Sequence, residues 1–360
     1  MMAMDDAVRM ERAIGSRIAL ATAVDVAHAA GVSQATVSRA FTPGSSISEA
    51  TRDRIFRIAE QLGYQPNLIA RSLTSGRSNL VGIGIENLRN PFFSETLEAM
   101  SLELAKAGLR SMLFTTRDDE TADTPVQDVL RYRLDALVLV SATFSSGFAS
   151  QCQAARVPVI LYNRTNGDER ISSVTGDNVF GARALAAFLI AGGHRRFAFI
   201  AGLEDSSTSR ARESGFNAYL SEHGFAAPLR ATGDFTYEGA AAATRRLLLS
   251  PDRPDAIFCA NDHMATAAID IAQFEFGLEV GRELSIVGFD DIQAASRPCY
   301  SLTTFAQRAD LMVRATIDII RGLRANDAPA APVHRIINGE LVIRTSARRP
   351  TRSAITASTT

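Results

Sequence analysis

Four residues at the start of a short predicted helix have side chains that could contact DNA bases. They are Gln34, Ala35, Ser38 and Arg39, and they share the polar face of residues 34–41. In the major groove a glutamine amide suits adenine and an arginine guanidinium suits guanine, while an alanine touches a thymine methyl or gives clearance. This face therefore predicts a base-reading surface, although a small helical bundle with a polar exterior would show the same pattern.

A second set of polar and aromatic residues follows directly after predicted strands. They are Phe92 and Phe93 after 80–85, Asn163 after 157–162, Asn261 after 256–260, and Asp290 after 285–288. In open α/β sheets, ligands bind outside the carboxyl ends of the strands. Carboxylate, amide and guanidinium groups hold sugar hydroxyls, and aromatic faces cover the apolar side of a ring. The pattern predicts a cleft for a small molecule.

Short helices must position the base-reading face. Thr22 is expected to cap a first helix ending at Gly31, and Ser33 to cap the second. Ser48 is expected to cap a third helix, which Gly63 ends. Two short helices joined by a tight turn fit a helix-turn-helix, whose second helix enters the major groove.

From residue 80 onward, short apolar runs alternate with helical stretches, which is typical of doubly wound parallel sheets. The fold class predicted here is α/β, with two Rossmann-like lobes behind a small all-α domain. About eight strands are expected, at 80–85, 112–115, 136–141, 157–162, 197–201, 256–260, 285–288 and 302–305.

Motif searches give no sign of an enzyme. The chain lacks G-x-S-x-G, a P-loop, H-E-x-x-H, and G-x-G-x-x-G after the first strand. Its three cysteines, Cys152, Cys259 and Cys299, form no C-x-x-C pair, so we expect neither a zinc site nor a disulfide framework. We predict no catalytic residue, metal or cofactor. No apolar run approaches 18 residues, so no membrane span is expected.

Net charge at first argues against DNA binding, because the formal charge of the 360 residues is −1. The charge is unevenly divided, however. Residues 1–78 carry nine arginines against seven acidic residues, a net of +2, and the rest of the chain carries −3. The first segment is only mildly basic, so its non-specific affinity for DNA should be weak.

Several segments, taken in order, resemble the lactose/galactose-repressor family. They are 22–39, 47–52, 62–67, 70–73, 90–93, 176–178, 193–196, 212–216, 261–264, 287–291 and 302–304. Each match is modest alone, but together they span roughly residues 22–346. The resemblance implies a cytoplasmic, dimeric transcriptional regulator, most simply a repressor, that binds a palindromic double-stranded operator and responds to a small molecule.

The resemblance also implies roles for individual residues. Gln34, Ala35 and Arg39 match base-reading positions, residues 67–74 match the hinge helix, and Leu73 matches the leucine that wedges into the minor groove. The hinge helices would form only when paired on DNA, so that the effector shifts an order–disorder equilibrium. Effector-contacting positions are matched by Phe92, Phe93, Thr208, Arg212, Phe235, Asn261 and Asp290, with Gln307 as a weaker match near the lobe junction. Asn163 stands where many relatives carry Asp, which removes a charge from the cleft.

The resemblance divides the chain into five parts: an extension at 1–20, the DNA-binding domain at 21–65, a hinge at 66–77, the two-lobed effector and dimerisation domain at 78–346, and a disordered tail at 347–360. A carbohydrate is the default effector. The alternative is a periplasmic-type sugar-binding transport protein, because residues 80–346 share that two-lobed fold. It is disfavoured because residues 22–75 would have no role in such a protein.

Overall fold

The structure is a computed structural model. It describes residues 21–42, 44–65, 77–85, 88–115, 129, 131–140, 146–325 and 331–350. The chain divides into two compact units, residues 1–78 and 79–360. The predicted extension at 1–20, the hinge helix with Leu73, and residues 351–360 lie outside the described residues.

The described residues of the first unit form three short helices, at the places where the first three helices were predicted. They are α1 (Ala23–Ala30), α2 (Gln34–Ala40) and α3 (Glu49–Gln61). Small and β-branched residues from all three helices form its core, because close helix contacts in so small a unit leave little room for large side chains. The buried residues are Val26, Ala27, Ala30, Val37, Ala40, Ile55 and Ala59.

The second unit contains two six-stranded sheets, each the centre of one lobe. The first-lobe sheet has the order β11-β5-β4-β3-β1-β2, and all of its strands are parallel. These strands are β1 (Leu80–Ile85), β2 (Arg110–Thr115), β3 (Ala136–Leu139), β4 (Val159–Tyr162), β5 (Ser172–Gly176) and β11 (His334–Ile337).

The second-lobe sheet has the order β12-β10-β9-β8-β6-β7, with only β12 antiparallel to its neighbour. Its strands are β6 (Phe197–Ala201), β7 (Leu229–Thr232), β8 (Ala256–Cys259), β9 (Ser285–Asp290), β10 (Thr303–Ala306) and β12 (Glu340–Val342). The central strands of both sheets are buried throughout, as parallel strands between two helical layers should be.

Helices connect the strands on both faces of each sheet. They are α4 (Pro91–Lys106), α5 (Ser146–Ala154), α6 (Asn178–Ala191), α7 (Ser207–Glu222), α8 (Tyr237–Leu248), α9 (Asp262–Asp270) and α10 (Ala309–Ala325). Right-handed β-α-β crossovers of this kind bring the strand ends of one edge together and form the ligand-binding edge of the fold.

The chain passes between the lobes three times, after β5, after β10, and between β11 and β12. These crossings pack closely on one another. A Cβ on Gly176 would lie 2.5 Å from Gln307 Oε1, and a Cβ on Gly339 would lie 2.1 Å from the carbonyl oxygen of Ala306. Gly339 therefore requires glycine, because any side chain would clash with the backbone of Ala306, whereas at Gly176 a side chain would have to displace the end of the Gln307 side chain.

Some elements are not evident in the sequence pattern. Strands β5, β7, β11 and β12 were not predicted, so the described residues contain twelve strands rather than about eight. Their sequences, such as Ser172–Gly176 and the largely exposed His334–Ile337, lack the continuous apolar run used to recognise a buried strand.

The C-terminal boundary is also corrected. Ala347 is buried and the N–H of Arg348 donates to Ser285 Oγ at 2.9 Å, so a disordered tail beginning at residue 347 was placed too early.

Candidate functional site

Capping residues fix the start of α1, the end of α1 and the start of α2. Thr22 Oγ1 accepts from the N–H of Asp25 at 3.3 Å, and the Asp25 carboxylate accepts from the N–H of Thr22 at 2.8 Å. The Thr22 N–H and the Thr22 hydroxyl both donate to the Asp25 carboxylate, and these hydrogen bonds hold the pKa of Asp25 below its usual value. Gly31 ends α1 in the left-handed region at φ +61°, which glycine adopts without a Cβ penalty. Ser33 then caps α2 by accepting from the N–H of Thr36.

The polar face of α2 is solvent-exposed in full. Gln34, Ala35, Ser38 and Arg39 are all exposed, while Val37 and Ala40 point into the core. The Arg39 side chain makes two long hydrogen bonds within its own helix, to Thr36 Oγ1 and to the Ala35 carbonyl, both at 3.4 Å. Its guanidinium can exchange these weak partners for base acceptors, which is the chemistry expected of a base-reading residue.

The second unit contains a cavity at the carboxyl ends of strands from both sheets. Eight of the nine predicted effector-contacting residues line it together, all except Gln307. The lining residues are Asn90, Phe92, Phe93, Val140, Asn163, Arg164, Leu203, Ser206, Thr208, Arg212, Asp234, Phe235, Asn261 and Asp290.

Sequence reasoning missed six of these lining residues: Asn90, Val140, Arg164, Leu203, Ser206 and Asp234. Each lies within a few residues of a strand's carboxyl end, so proximity to the strand ends could have indicated them. Two of the six, Arg164 and Asp234, carry a charge.

Arg212 is the most constrained residue of the cavity. Its side chain is only 2% exposed and lies 3.4 Å from Asp290 Oδ1. It donates to Asn178 Oδ1 at 2.8 Å and to the carbonyl of Ala260, and its guanidinium lies 3.8 Å from the centre of the Phe289 ring. Burial lowers its pKa, an effect that Asp290 opposes. The guanidinium is therefore fixed in place before any ligand arrives.

Two buried carboxyl groups lie behind this guanidinium. Burial raises the pKa of Asp290 to about 6, against the opposing effects of Arg212 and Gln307. Burial and the neighbouring Asp290 raise the pKa of Asp262 to about 8. At neutral pH, Asp290 is the ionised partner of Arg212 and Asp262 is largely protonated.

Asp290 has an unusual backbone as well as an unusual pKa. Its φ is +124°, and Asp291 follows at +60°, so β9 ends in a strained turn. Asp291 pairs with Arg344 at 2.7 Å and does not line the cavity.

Gln307 lies behind the cavity wall instead of lining it. Its side-chain amide donates to Asp290 Oδ1 at 2.8 Å, and its backbone N–H donates to the Asp290 carbonyl at 3.2 Å. It belongs to the second lobe crossing and faces Gly176 of the first. Asn178, which begins α6 just after that first crossing, accepts from Arg212. Arg212 and Asp290 are thus hydrogen-bonded directly to residues of the segments that connect the two lobes.

The remaining lining groups suit a small polyhydroxylated ring. Asn163 Oδ1 is buried and has no hydrogen-bond partner among the residues the structure describes. Asn261 Oδ1 accepts from the N–H of Met264, which fixes the orientation of an amide that lines the cavity. Phe92, Phe93 and Phe235 provide apolar faces, and the Phe235 ring fills the space where a Cβ on Gly202 would lie, 2.2 Å away.

Within the described ranges, no cluster of three or more His, Cys, Asp or Glu side chains could hold a metal ion. Over those ranges, too, none of the helices has the length and apolar character that a membrane crossing needs.

Together, the helix-turn-helix and the two-lobed cavity define the class of this protein, a DNA-binding regulator with a ligand-sensing domain. Comparison with known proteins gives the same result. Residues 22–67 match the model of the lacI family of bacterial regulatory proteins, and residues 186–347 match the periplasmic binding protein-like domain.

Relatives that align with most of the chain show which family of regulators it belongs to. The ribose operon repressor of Escherichia coli K12 is 30% identical over 305 residues, which cover 84% of this chain and 92% of the relative. The probable HTH-type transcriptional repressor ExuR of Bacillus subtilis 168 is 28% identical, with 92% and 100% covered. A crystal structure of the Lac repressor dimer bound to operator and the anti-inducer ONPF is 28% identical, with a TM-score of 0.80 over 91% of this chain and 98% of that chain.

The chain belongs to the lacI family of bacterial regulatory proteins. This confirms the predicted family, the fold class and the function as a DNA-binding transcriptional regulator. The curated relatives are repressors and not enzymes, in agreement with the prediction of a non-catalytic chain, and they do not favour the alternative of a transport protein.

Proposed function

We propose that this protein is a repressor that binds a palindromic operator as a homodimer in the cytoplasm, where its DNA lies. Gln34, Ala35, Ser38 and Arg39 of each subunit read the bases of one half-site. Leu73 inserts into the minor groove between the half-sites. The exposed face of α2 supports the base-reading role, and the operator-bound Lac repressor dimer supports the two-fold arrangement.

The proposed signal is a small molecule, a sugar or sugar derivative, bound in the cavity between the lobes. One observation carries this proposal: eight residues predicted as effector contacts line a single cavity, where amide, carboxylate and guanidinium groups face aromatic rings. Similar solved structures include a CelR–cellobiose complex, 28% identical with a TM-score of 0.66.

Ligand binding is proposed to act on DNA binding through the lobe crossings. Arg212 and Asp290 contact the ligand on one side and Asn178 and Gln307 on the other. A ligand that prefers one angle between the lobes shifts the population towards that angle. Residues 67–74 of the two subunits then move together or apart, which changes how readily they form paired helices on the operator.

A gel-shift experiment tests this proposal. The full-length protein is mixed with the intergenic DNA beside its own gene, at several salt concentrations and with a panel of carbohydrates. We expect a retarded complex whose affinity changes with one class of carbohydrate. Absence of binding under every salt and ligand condition would contradict the assignment as a repressor.

A further inference from the structure

Two hydrogen bonds join the lobes directly, apart from the three crossings of the chain. The backbone N–H of Thr165, in the loop after β4 of the first lobe, donates to Ser207 Oγ of the second lobe at 3.0 Å. The backbone N–H of Gln293, in the second lobe, donates to Glu95 Oε1 on α4 of the first lobe at 3.1 Å. Because each bond has one partner in each lobe, neither can persist when the lobes move apart.

Both hydrogen bonds border the cavity. Ser207 lies between the lining residues Ser206 and Thr208, at the start of α7. Glu95 lies two residues after the lining residue Phe93, in the first part of α4. A ligand in the cavity would therefore touch the same helix starts that the two bonds hold together.

Buried contacts fix the second-lobe partners of these bonds. Ser209 Oγ accepts from the N–H of Gly202 at 2.9 Å, which attaches the first turn of α7 to the end of β6. The N–H of Ile292, next to Gln293, donates to the buried carboxyl of Asp262 at 3.0 Å. These anchors stop the second-lobe partners from following the first lobe, so a change in the angle between the lobes has to lengthen both bonds.

The first-lobe partners are anchored in a similar way. The side chain of Asn90 caps the start of α4, about one turn before Glu95. The N–H of Asn163 donates to the carbonyl of Val174 in β5 at 2.8 Å, two residues before Thr165. The two bonds therefore connect fixed segments of one lobe to fixed segments of the other.

We propose that these two hydrogen bonds form a latch, which holds the lobes at one angle and thereby sets the operator affinity of the protein independently of the effector. The regulatory half of the inference rests on the proposed function, in which operator binding follows the lobe angle. Glu95 and Ser207 are positioning residues, because they act through that angle without touching DNA. Each supplies one hydrogen bond that is partly open to solvent, so each shifts the lobe equilibrium by about fivefold.

Hydrogen–deuterium exchange of the full-length protein, read by mass spectrometry, tests whether the two bonds act together. Glu95→Ala leaves the bond from Thr165 to Ser207 in place, and Ser207→Ala leaves the bond from Gln293 to Glu95 in place. Opening of the lobes exposes both N–H groups. Glu95→Ala should therefore speed exchange at Thr165 by about fivefold, and Ser207→Ala should speed exchange at Gln293 by about the same factor.

Matched controls come from the same two helices. Glu98, one turn further along α4, and Ser214, two turns further along α7, are both exposed. Glu98→Ala and Ser214→Ala should leave exchange at both N–H groups unchanged, and Glu95→Gln, which keeps an acceptor oxygen, should largely restore the protection of Thr165. If each substitution speeds exchange only at its own hydrogen bond, the two bonds open independently and the latch is refuted.

Operator affinity tests the regulatory half. Fluorescence anisotropy without added ligand measures the Kd of each variant for the DNA that the gel shift retards. Glu95→Ala and Ser207→Ala should change this Kd in the same direction by about twofold to fivefold, since the shift in the lobe equilibrium sets the upper limit. The two alanine controls should leave it unchanged.

The two measurements separate the latch from the proposed function. Unchanged operator Kd values, or changes in opposite directions, would refute the regulatory half even where the exchange data support the latch. If the parent protein retards no DNA, the proposed function fails and the regulatory half fails with it, while the exchange data still decide whether the latch exists.

Discussion

Replacing Arg212 with Met should destabilise the second unit in a pH-dependent way. The substitution removes the partner of Asp290 and the donor to Asn178, and leaves a carboxylate that is 5% exposed with Gln307 as its remaining donor. Breaking a buried ion pair by removing one partner costs about 3–5 kcal/mol in the free energy of unfolding. We expect a loss in this range at pH 8.

The loss should shrink as the pH falls. With Arg212 present the pKa of Asp290 is about 6, and without Arg212 burial raises it further. The folded variant therefore takes up a proton at higher pH than the folded parent does. Between these two pKa values, the cost of the substitution decreases by about 1.4 kcal/mol for each pH unit of acidification. Below pH 6 Asp290 is protonated in both proteins, and the cost levels off.

Urea unfolding at pH 5, 6, 7 and 8 measures this dependence. Circular dichroism is the suitable signal, because the chain has no tryptophan. Arg183→Met is the control, since Arg183 pairs with Glu222 at 2.6 Å at the surface, and Arg183 holds the pKa of Glu222 below its usual value and so below this pH range. The control should show a small cost that is constant with pH. If the loss in free energy of unfolding for Arg212→Met is also constant with pH, the electrostatic reasoning is refuted and the loss is due to packing alone.

Three further predictions concern other residues. Arg39→Ala should weaken operator binding by roughly 1–3 kcal/mol and relax the sequence preference at the one base pair that Arg39 reads. Competition among operator variants measures this, and an equal loss of affinity on every sequence would mean that Arg39 contacts phosphate instead. Leu73→Ala should weaken operator binding and leave the calorimetric affinity for the effector unchanged. The pKa of Asp262 is raised to about 8 in the folded protein, so its contribution to the free energy of unfolding decreases as the pH rises from 5 to 8. Asp262→Asn removes this contribution, and its melting temperature should therefore fall less over that range than that of the parent protein. Asp168→Asn is the control, because Arg170 lowers the pKa of the Asp168 carboxyl to about 2, below this pH range, so its removal should leave the pH dependence unchanged. If Asp262→Asn also leaves the pH dependence unchanged, the raised pKa assigned to Asp262 is wrong.

Local sequence signals predicted the helix caps and the central strands well. The three helices are capped as expected by Thr22, Ser33 and Ser48. A Ser or Thr hydroxyl just before a helix accepts a hydrogen bond from a backbone N–H of the first turn, so these residues mark the helix starts. Strands β1 and β6 have the predicted bounds, since their apolar runs are continuous. Strands such as β7 and β11 were missed because they lie at sheet edges, where burial imposes no apolar run.

The sequence predicted which residues lie at the candidate site, but not the contacts that these residues make. Knowledge that ligands bind at strand ends was enough to choose Phe92, Asn261 and Asp290. It could not show that Gln307 donates to Asp290 from behind the cavity wall. That contact depends on how the ends of β9 and β10 pair in the sheet, which local patterns do not encode.

The central claim is that one protein couples operator binding to ligand binding, and linkage tests it most directly. Fluorescence anisotropy gives the operator Kd with and without saturating ligand, and calorimetry gives the ligand Kd with and without saturating operator. The account predicts that both ratios differ from one and are equal, because coupling between two sites is reciprocal. A ligand that binds in the cavity while the operator Kd stays the same would contradict it.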